Sequence, residues 1–152
     1  MAPVLLIERW PAATALPPGV QRQLQLSLDA EQRTSLRGHR SSDCGQDLVL
    51  QLPRGQALRP GERLLDEQQR LAVTVVAAPE SLLRVSGPDS LALLQAAYHL
   101  GNRHVALELH RDHLLLQHDS VLLDLLRHRG LQVEAVVAPF DPEAGAYGHH
   151  HH

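Results

Sequence analysis

The hydrophobic period of this chain changes once, near residue 78, and that change predicts an α+β protein with a β domain in front. In the first half Leu24, Leu26 and Leu28 alternate with Gln23, Gln25 and Ser27. Leu48, Leu50 and Leu52 repeat the alternation, as do Leu71, Val73 and Val75. Successive strand side chains point to opposite faces, so a period of two marks a half-buried strand. Turn residues separate the runs: Pro17-Pro18-Gly19, Asp43-Cys44-Gly45, Pro53-Arg54-Gly55 and Pro60-Gly61. Short strands at that spacing predict a small all-β sandwich or barrel over residues 1–78.

Beyond residue 78 the pattern alternates between strand and helix. Residues 82–86 read as a strand, and Gly87-Pro88-Asp89 starts a helix with proline in its first turn. Leu91, Leu94, Tyr98 and Gly101 fall at helical spacing, and Gly101-Asn102 ends the helix. The stretch 104–109 alternates again, which puts Val105, Leu107 and Leu109 on one face of a strand beginning at His104. His110-Arg111-Asp112 is a short turn, and 113–117 returns as its partner strand. Asp119 and Ser120 are candidate caps for a second helix carrying Val121, Leu122, Leu125 and Leu126; Gly130 closes it, and 131–137 is a last strand. This order predicts a ferredoxin-like βαββαβ domain over residues 79–138. Pro139 and Pro142 then release a flexible tail, 139–152, that ends in His149, His150, His151 and His152.

Composition excludes several functions. The net charge is −3, no lysine occurs, and no run of arginines forms a basic patch, so neither nucleic acid nor an anionic membrane is an expected partner. Aromatics make up 3% of the chain, too few for a base-stacking surface. Cys44 is the single cysteine and cannot form an internal disulfide. The apolar run at 4–7 is too short for a signal peptide, and no stretch approaches the roughly 20 apolar residues of a membrane span. The expected location is the cytoplasm. Catalysis is not expected: there is no His-Glu-x-x-His for a hydrolytic metal, no nucleophile elbow and no phosphate loop. Two thin aliphatic cores are a mild argument for oligomerisation.

The chain has 11 histidines, and the terminal run on a glycine-flexed segment is a collector of transition metal. It follows Gly148 directly with no linker between, which favours a native tail, whole or shortened, over an added purification tag. His104 closes the segment His99-Leu100-Gly101-Asn102-Arg103-His104. A lone imidazole holds metal poorly, but a twofold axis brings the same residue from each chain together. His118 precedes the capping pair and is a secondary candidate. His99, His110 and His113 are better read as structural or turn residues, and His39 and His128 as solvated surface. Cys44 lacks a neighbouring ligand and is set aside.

These segments carry a family resemblance. His99-Leu100-Gly101-Asn102-Arg103-His104, the helix start Asp119-Ser120-Val121-Leu122, and Pro139-Phe140…Pro142-Glu143…Gly145-Ala146-Tyr147 resemble the urease accessory protein UreE family. Leu52-Pro53-Arg54-Gly55…Leu58…Pro60-Gly61-Glu62…Leu64 extends the resemblance into the first half. It implies a homodimeric nickel metallochaperone that passes Ni²⁺, through the urease accessory GTPase and the apo-urease assembly complex, into the urease active site. Zn²⁺ or Cu²⁺ would compete for the same nitrogen ligands. The resemblance further implies that His104 binds metal at the dimer interface, one from each subunit, with His149, His150, His151 and His152 adding ligands. The N-terminal domain would be a partner- or peptide-binding module. Some members carry His-Asp-His before the second helix; here the segment is His118-Asp119-Ser120, which leaves His118 as the accessory ligand. The alternative reading is a peptide-binding assembly factor to which metal is incidental.

Overall fold

The computed structural model describes residues 2–145. The expected tail ligands His149, His150, His151 and His152 lie outside the described residues. The chain divides into two compact units, 1–77 and 78–152.

The first unit contains six strands: β1 (Val4–Trp10), β2 (Arg22–Leu28), β3 (Arg37–Ser41), β4 (Asp47–Gln51), β5 (Arg63–Asp66) and β6 (Leu71–Ala77). They form one mixed sheet in the order β2-β6-β5-β1-β4-β3, with β1–β4 and β2–β6 parallel. The sheet curls on itself. The Asp43 N–H after β3 donates to the Gln25 carbonyl (2.8 Å), and the Ser27 N–H and hydroxyl donate to the Asp43 carboxylate (3.0 and 2.8 Å), tying this turn to the far edge strand β2. The alternating leucines supply the core: Leu26, Leu28, Leu48, Leu50, Leu52, Leu71, Val73 and Val75 are buried together with Leu6, Leu58 and Leu64. Arg9 forks onto both Glu62 carboxylate oxygens at 2.8 Å and donates to the Gln56 carbonyl, which fixes the Pro-Gly loop against β1.

The second unit runs β7 (Pro79–Ser86), α1 (Ser90–Asn102), β8 (Glu108–Leu109), β9 (Leu114–Gln117), α2 (Ser120–His128) and β10 (Gln132–Pro139). Its sheet is antiparallel throughout in the order β10-β7-β9-β8, the ferredoxin-like arrangement. Asp89 and Asp119 cap the two helices, each carboxylate accepting first-turn amides (2.8 Å from Ala92; 2.9 and 3.0 Å from Val121 and Leu122). Pro88 precedes the cap, so it stands outside the helix and not in its first turn. The core joins Leu93, Ala96 and Leu100 of α1 to Leu83, Val85, Leu107, Leu114, Leu116, Leu126 and Leu131. Leu91, Leu94 and Tyr98 form a second apolar stripe on α1, and it faces outward, 60, 66 and 67% exposed.

The helix ends at Asn102, where the Gly101-Asn102 pair predicts its end. A further local expectation is overturned. The strand expected over 104–109 is reduced to Glu108–Leu109, because residues 103–105 are bound back onto the last turn of α1. His104 therefore belongs to a helix end and not to a strand.

Candidate metal site

His104 follows the cap residue Arg103 with φ of 60°, in the left-handed region that ordinary residues avoid. Two hydrogen bonds define the turn: His104 N–H to the Gly101 carbonyl (3.0 Å) and Val105 N–H to the Leu100 carbonyl (3.1 Å). This is the Schellman closure, and Leu100 with Val105 provides the apolar contact that accompanies it. The backbone is thus fixed on both sides of His104 while the residue is exposed, and its ring makes no hydrogen bond among the described residues.

The topology gathers the sequence-predicted segments at one edge of the sheet. Pro79 pairs with Pro139, Leu82 with Gln117, and the His118 N–H donates to the Ser81 carbonyl, so β7 begins where β9 and β10 end. Helix α1 returns from the far end of β7, and α2 departs after β9. The end of α1 with His104, the approach to α2 with His118, and the exit of β10 towards the tail therefore share that edge. Past β10 the chain is held down: Phe140 is fully buried, the Asp141 N–H donates to Glu108 Oε1 (2.8 Å), and the Glu143 N–H donates to the Leu107 carbonyl (2.7 Å). Leu107 is three residues from His104, so the tail leaves close to it. The approach of residues 141–143 to 107–108 is not legible in the sequence, since the 141–143 segment takes part through its backbone N–H groups.

Among the described residues no three histidine, cysteine or acidic side chains converge on a point that could hold a metal. His118 is exposed, and His99 is half-buried beside Tyr98, ring edge to ring face at 5.4 Å. His110 and His113 stack at 4.2 Å with 8° between their planes, each with one ring nitrogen on a carboxylate. Lone pairs lying in two parallel planes do not meet on one ion, so the stacked pair is not a chelate. The His113 imidazole holds the Asp112 carboxyl below the usual carboxylate range. In the first unit the Ser42 hydroxyl against the exposed Cys44 sulfur lowers that thiol, but no second ligand accompanies it. Among the described residues, His104 is thus an exposed imidazole mounted on a fixed backbone turn.

Among the described residues no helix is long and apolar enough to cross a membrane. Two family models match the chain: the N-terminal domain of the UreE urease accessory protein over residues 6–78, and its C-terminal domain over residues 80–152. A urease accessory protein UreE of Synechococcus sp. (strain WH7805) is 64% identical over 84% of this chain and 73% of its own. One from Synechococcus sp. (strain CC9311) is 55% identical over 90% and 88%, and one from Thermosynechococcus vestitus is 56% identical over 85% and 90%. The chain belongs to the UreE urease accessory protein family, which is a family of accessory chaperones and not of enzymes.

Proposed function

We propose that this protein is a cytoplasmic nickel metallochaperone that acts as a homodimer in the maturation of urease, handing Ni²⁺ to the accessory GTPase and the apo-urease assembly. The observation that carries this reading is His104: an exposed imidazole, without a hydrogen-bond partner among the described residues, in a backbone conformation that favours glycine. Strained backbone persists where the side chain has a task.

The outward stripe of α1 supports a dimer. Leu91, Leu94 and Tyr98 lie within two turns and are all well exposed, while the opposite face of the same helix already packs the core. A helix apolar on both sides is one with a second partner. Gly101 continues the stripe, and a Cβ there would meet nothing within 4 Å in its own chain. Helical glycine costs about 1 kcal/mol relative to alanine, and close approach of a second copy gives that cost a purpose. Isologous contact through this face would set two His104 imidazoles across the axis. Tail imidazoles then complete a nitrogen-rich shell suited to Ni²⁺, with Zn²⁺ or Cu²⁺ as competitors. Ligands on a tether exchange one at a time, which suits a carrier that must release its cargo. His118 on the same edge is an accessory ligand, and the N-terminal unit is assigned to partner docking.

Nickel titration calorimetry with light-scattering mass, on the chain ending at Gly148, tests this. One tight Ni²⁺ per dimer, lost in His104→Ala, is the expected result. Equal affinity in the mutant would overturn it and favour the peptide-binding reading. Capture should also weaken on acidification, since imidazole ligates only when neutral. Unchanged retention from pH 7.5 to 5 would exclude an imidazole site.

A further inference from the structure

An outer strand of a sheet presents backbone N–H and C=O groups that another chain can pair with, and folds commonly guard such edges. The outer strands here are β2 and β3 in the first unit and β8 and β10 in the second. Strand β2 is tied to Asp43, and β3 carries Arg37, His39 and Arg40. Strand β8 is two residues long, and the returning chain bonds beside it through the Asp141 and Glu143 N–H groups. Strand β10 (Gln132–Pro139) is long, and nothing among the described residues covers its middle.

The register decides which groups of β10 face outward. The His118 N–H bond to the Ser81 carbonyl shows that the Ser81 backbone faces β9, so the backbones of Leu82, Arg84 and Ser86 face β10. Their partners Val136, Glu134 and Gln132 are thereby bonded, and the backbone groups of Val133, Ala135 and Val137 point away from the sheet. Among the described residues, the one contact printed on those groups is Arg127 Nη2 at 3.4 Å from the Val133 carbonyl. Ala135 and Val137 are exposed, Val137 at 74%, and the face they share with Val133 carries no charge on this strand.

We infer that β10 is a pairing edge for the same strand of a second copy, antiparallel about a twofold axis at Ala135. The smallest of the outward residues then meets itself on the axis, and Val133 faces Val137 of the second copy. Each such pair exchanges both of its hydrogen bonds, so every outward group is used. Glu134 lies opposite Val136 of the second copy. An axis at Glu134 would instead oppose two carboxylates, and an axis at Val136 would set Pro139, which has no N–H, against Val133. The register at Ala135 avoids both faults and joins the two sheets into one. A standard interface takes about 20–30 residues a side, and one strand supplies far fewer, so the association is weak, on the order of 10⁻⁴ M. It is separate from the outward face of α1 and does not depend on the nickel reading.

Two measurements on the full chain, with chelator present, test this. The first is amide hydrogen exchange beside sedimentation, at protein concentrations from about 10⁻⁶ to 10⁻³ M. The mass should double across that range, and the Val133, Ala135 and Val137 amides should gain protection with it. The Glu134 and Val136 amides, bonded to β7, should be protected throughout. Outward amides that stay open at the highest concentration would overturn the pairing. Protection at every concentration, without a change of mass, would mean that the chain covers its own edge and would overturn it equally. The second measurement uses Ala135→Lys and Ala135→Glu, which place like charges face to face across the axis. Each alone should weaken association at least about tenfold, and an equimolar mixture should restore it, lysine facing glutamate. Unchanged association in either variant, or a mixture that does not recover, would overturn an axis at Ala135.

Discussion

Helices α1 and α2 stop in the same way, and the residue at the critical position differs. At the end of α2, Gly130 takes φ of 84°, its N–H donates to the Arg127 carbonyl (3.0 Å) and the Leu131 N–H to the Leu126 carbonyl (3.1 Å). At the end of α1, His104 takes φ of 60° with the matching bonds to Gly101 and Leu100. The apolar partners match too: Leu126 with Leu131, Leu100 with Val105. One end uses the residue without a Cβ, for which this conformation is free of strain; the other places an imidazole there at a cost. The outer faces differ in the same sense. Helix α2 shows Asp124, Arg127 and His128 to solvent alongside Val121, whereas α1 shows Leu91, Leu94 and Tyr98. Backbone economy governs α2. At α1 the end carries a Cβ in a conformation that favours glycine, and the outer face is apolar.

The sharpest way to break this comparison is to remove the reason for the outward face of α1. Leu94 is 66% exposed, so Leu94→Asp should barely change the stability of an isolated chain. If the face is an interface, two uncompensated carboxylates are buried about the axis, at a cost of about 3 kcal/mol or more. The expected result is a halved mass by light scattering, together with loss of the tight nickel site. A dimer that persists would mean the stripe is not the interface. The matching change on α2, Asp124→Leu, should leave the mass untouched.

Part of this could be read without a structure. Strands β2, β4 and β6 were legible because Leu26, Leu28, Leu48, Leu50, Leu71, Val73 and Val75 alternate into one core. Strand β3, Arg37-Gly38-His39-Arg40-Ser41, has no apolar residue to alternate, and β5 puts Leu64 and Leu65 side by side, both buried, so neither leaves a period-two trace. The first unit is all-β as expected, but the alternation could not show its strand order, since the parallel pairs β1–β4 and β2–β6 join residues far apart in sequence. Around His104 the apparent alternation of Val105, Leu107 and Leu109 misled. Val105 packs as the apolar contact of a helix closure, while Leu109 is 47% exposed. The signal that would have corrected it was present: Leu100 and Val105 stand five apart, as Leu126 and Leu131 do across the glycine-closed end of α2. Exposure could not be read in the same way. The stripe 91, 94, 98 and the inward set 93, 96, 100 are both helical in period, and only the packed sheet decides which is inside.

Exchanging the residues at the two helix ends gives smaller effects and separates stability from function. Gly130→Ala introduces a Cβ that meets no atom within 4 Å, so its cost is purely conformational, about 1–2 kcal/mol. Chemical denaturation should show that loss with nickel affinity unchanged. A neutral result would mean that the left-handed position at α2 tolerates any residue, and the strain assigned to His104 would lose its support.

His104→Gly is the converse and the most discriminating. Relief of the left-handed strain stabilises the native state by about 1–2 kcal/mol, and the greater freedom of glycine in the unfolded chain takes back about 0.5–1 kcal/mol. The net expectation is a gain of about 0.5–1 kcal/mol, a rise of several degrees in Tm for a unit of this size. Nickel affinity should move the other way. Loss of a supporting residue around a metal costs about 10–100-fold, so removing a ligand from each protomer should cost at least a hundredfold. A variant more stable and less able to hold metal would show that the chain gives up stability at this position in exchange for a ligand. Loss of both together would instead make His104 a structural residue, and α1 would end as it does for the same reason as α2.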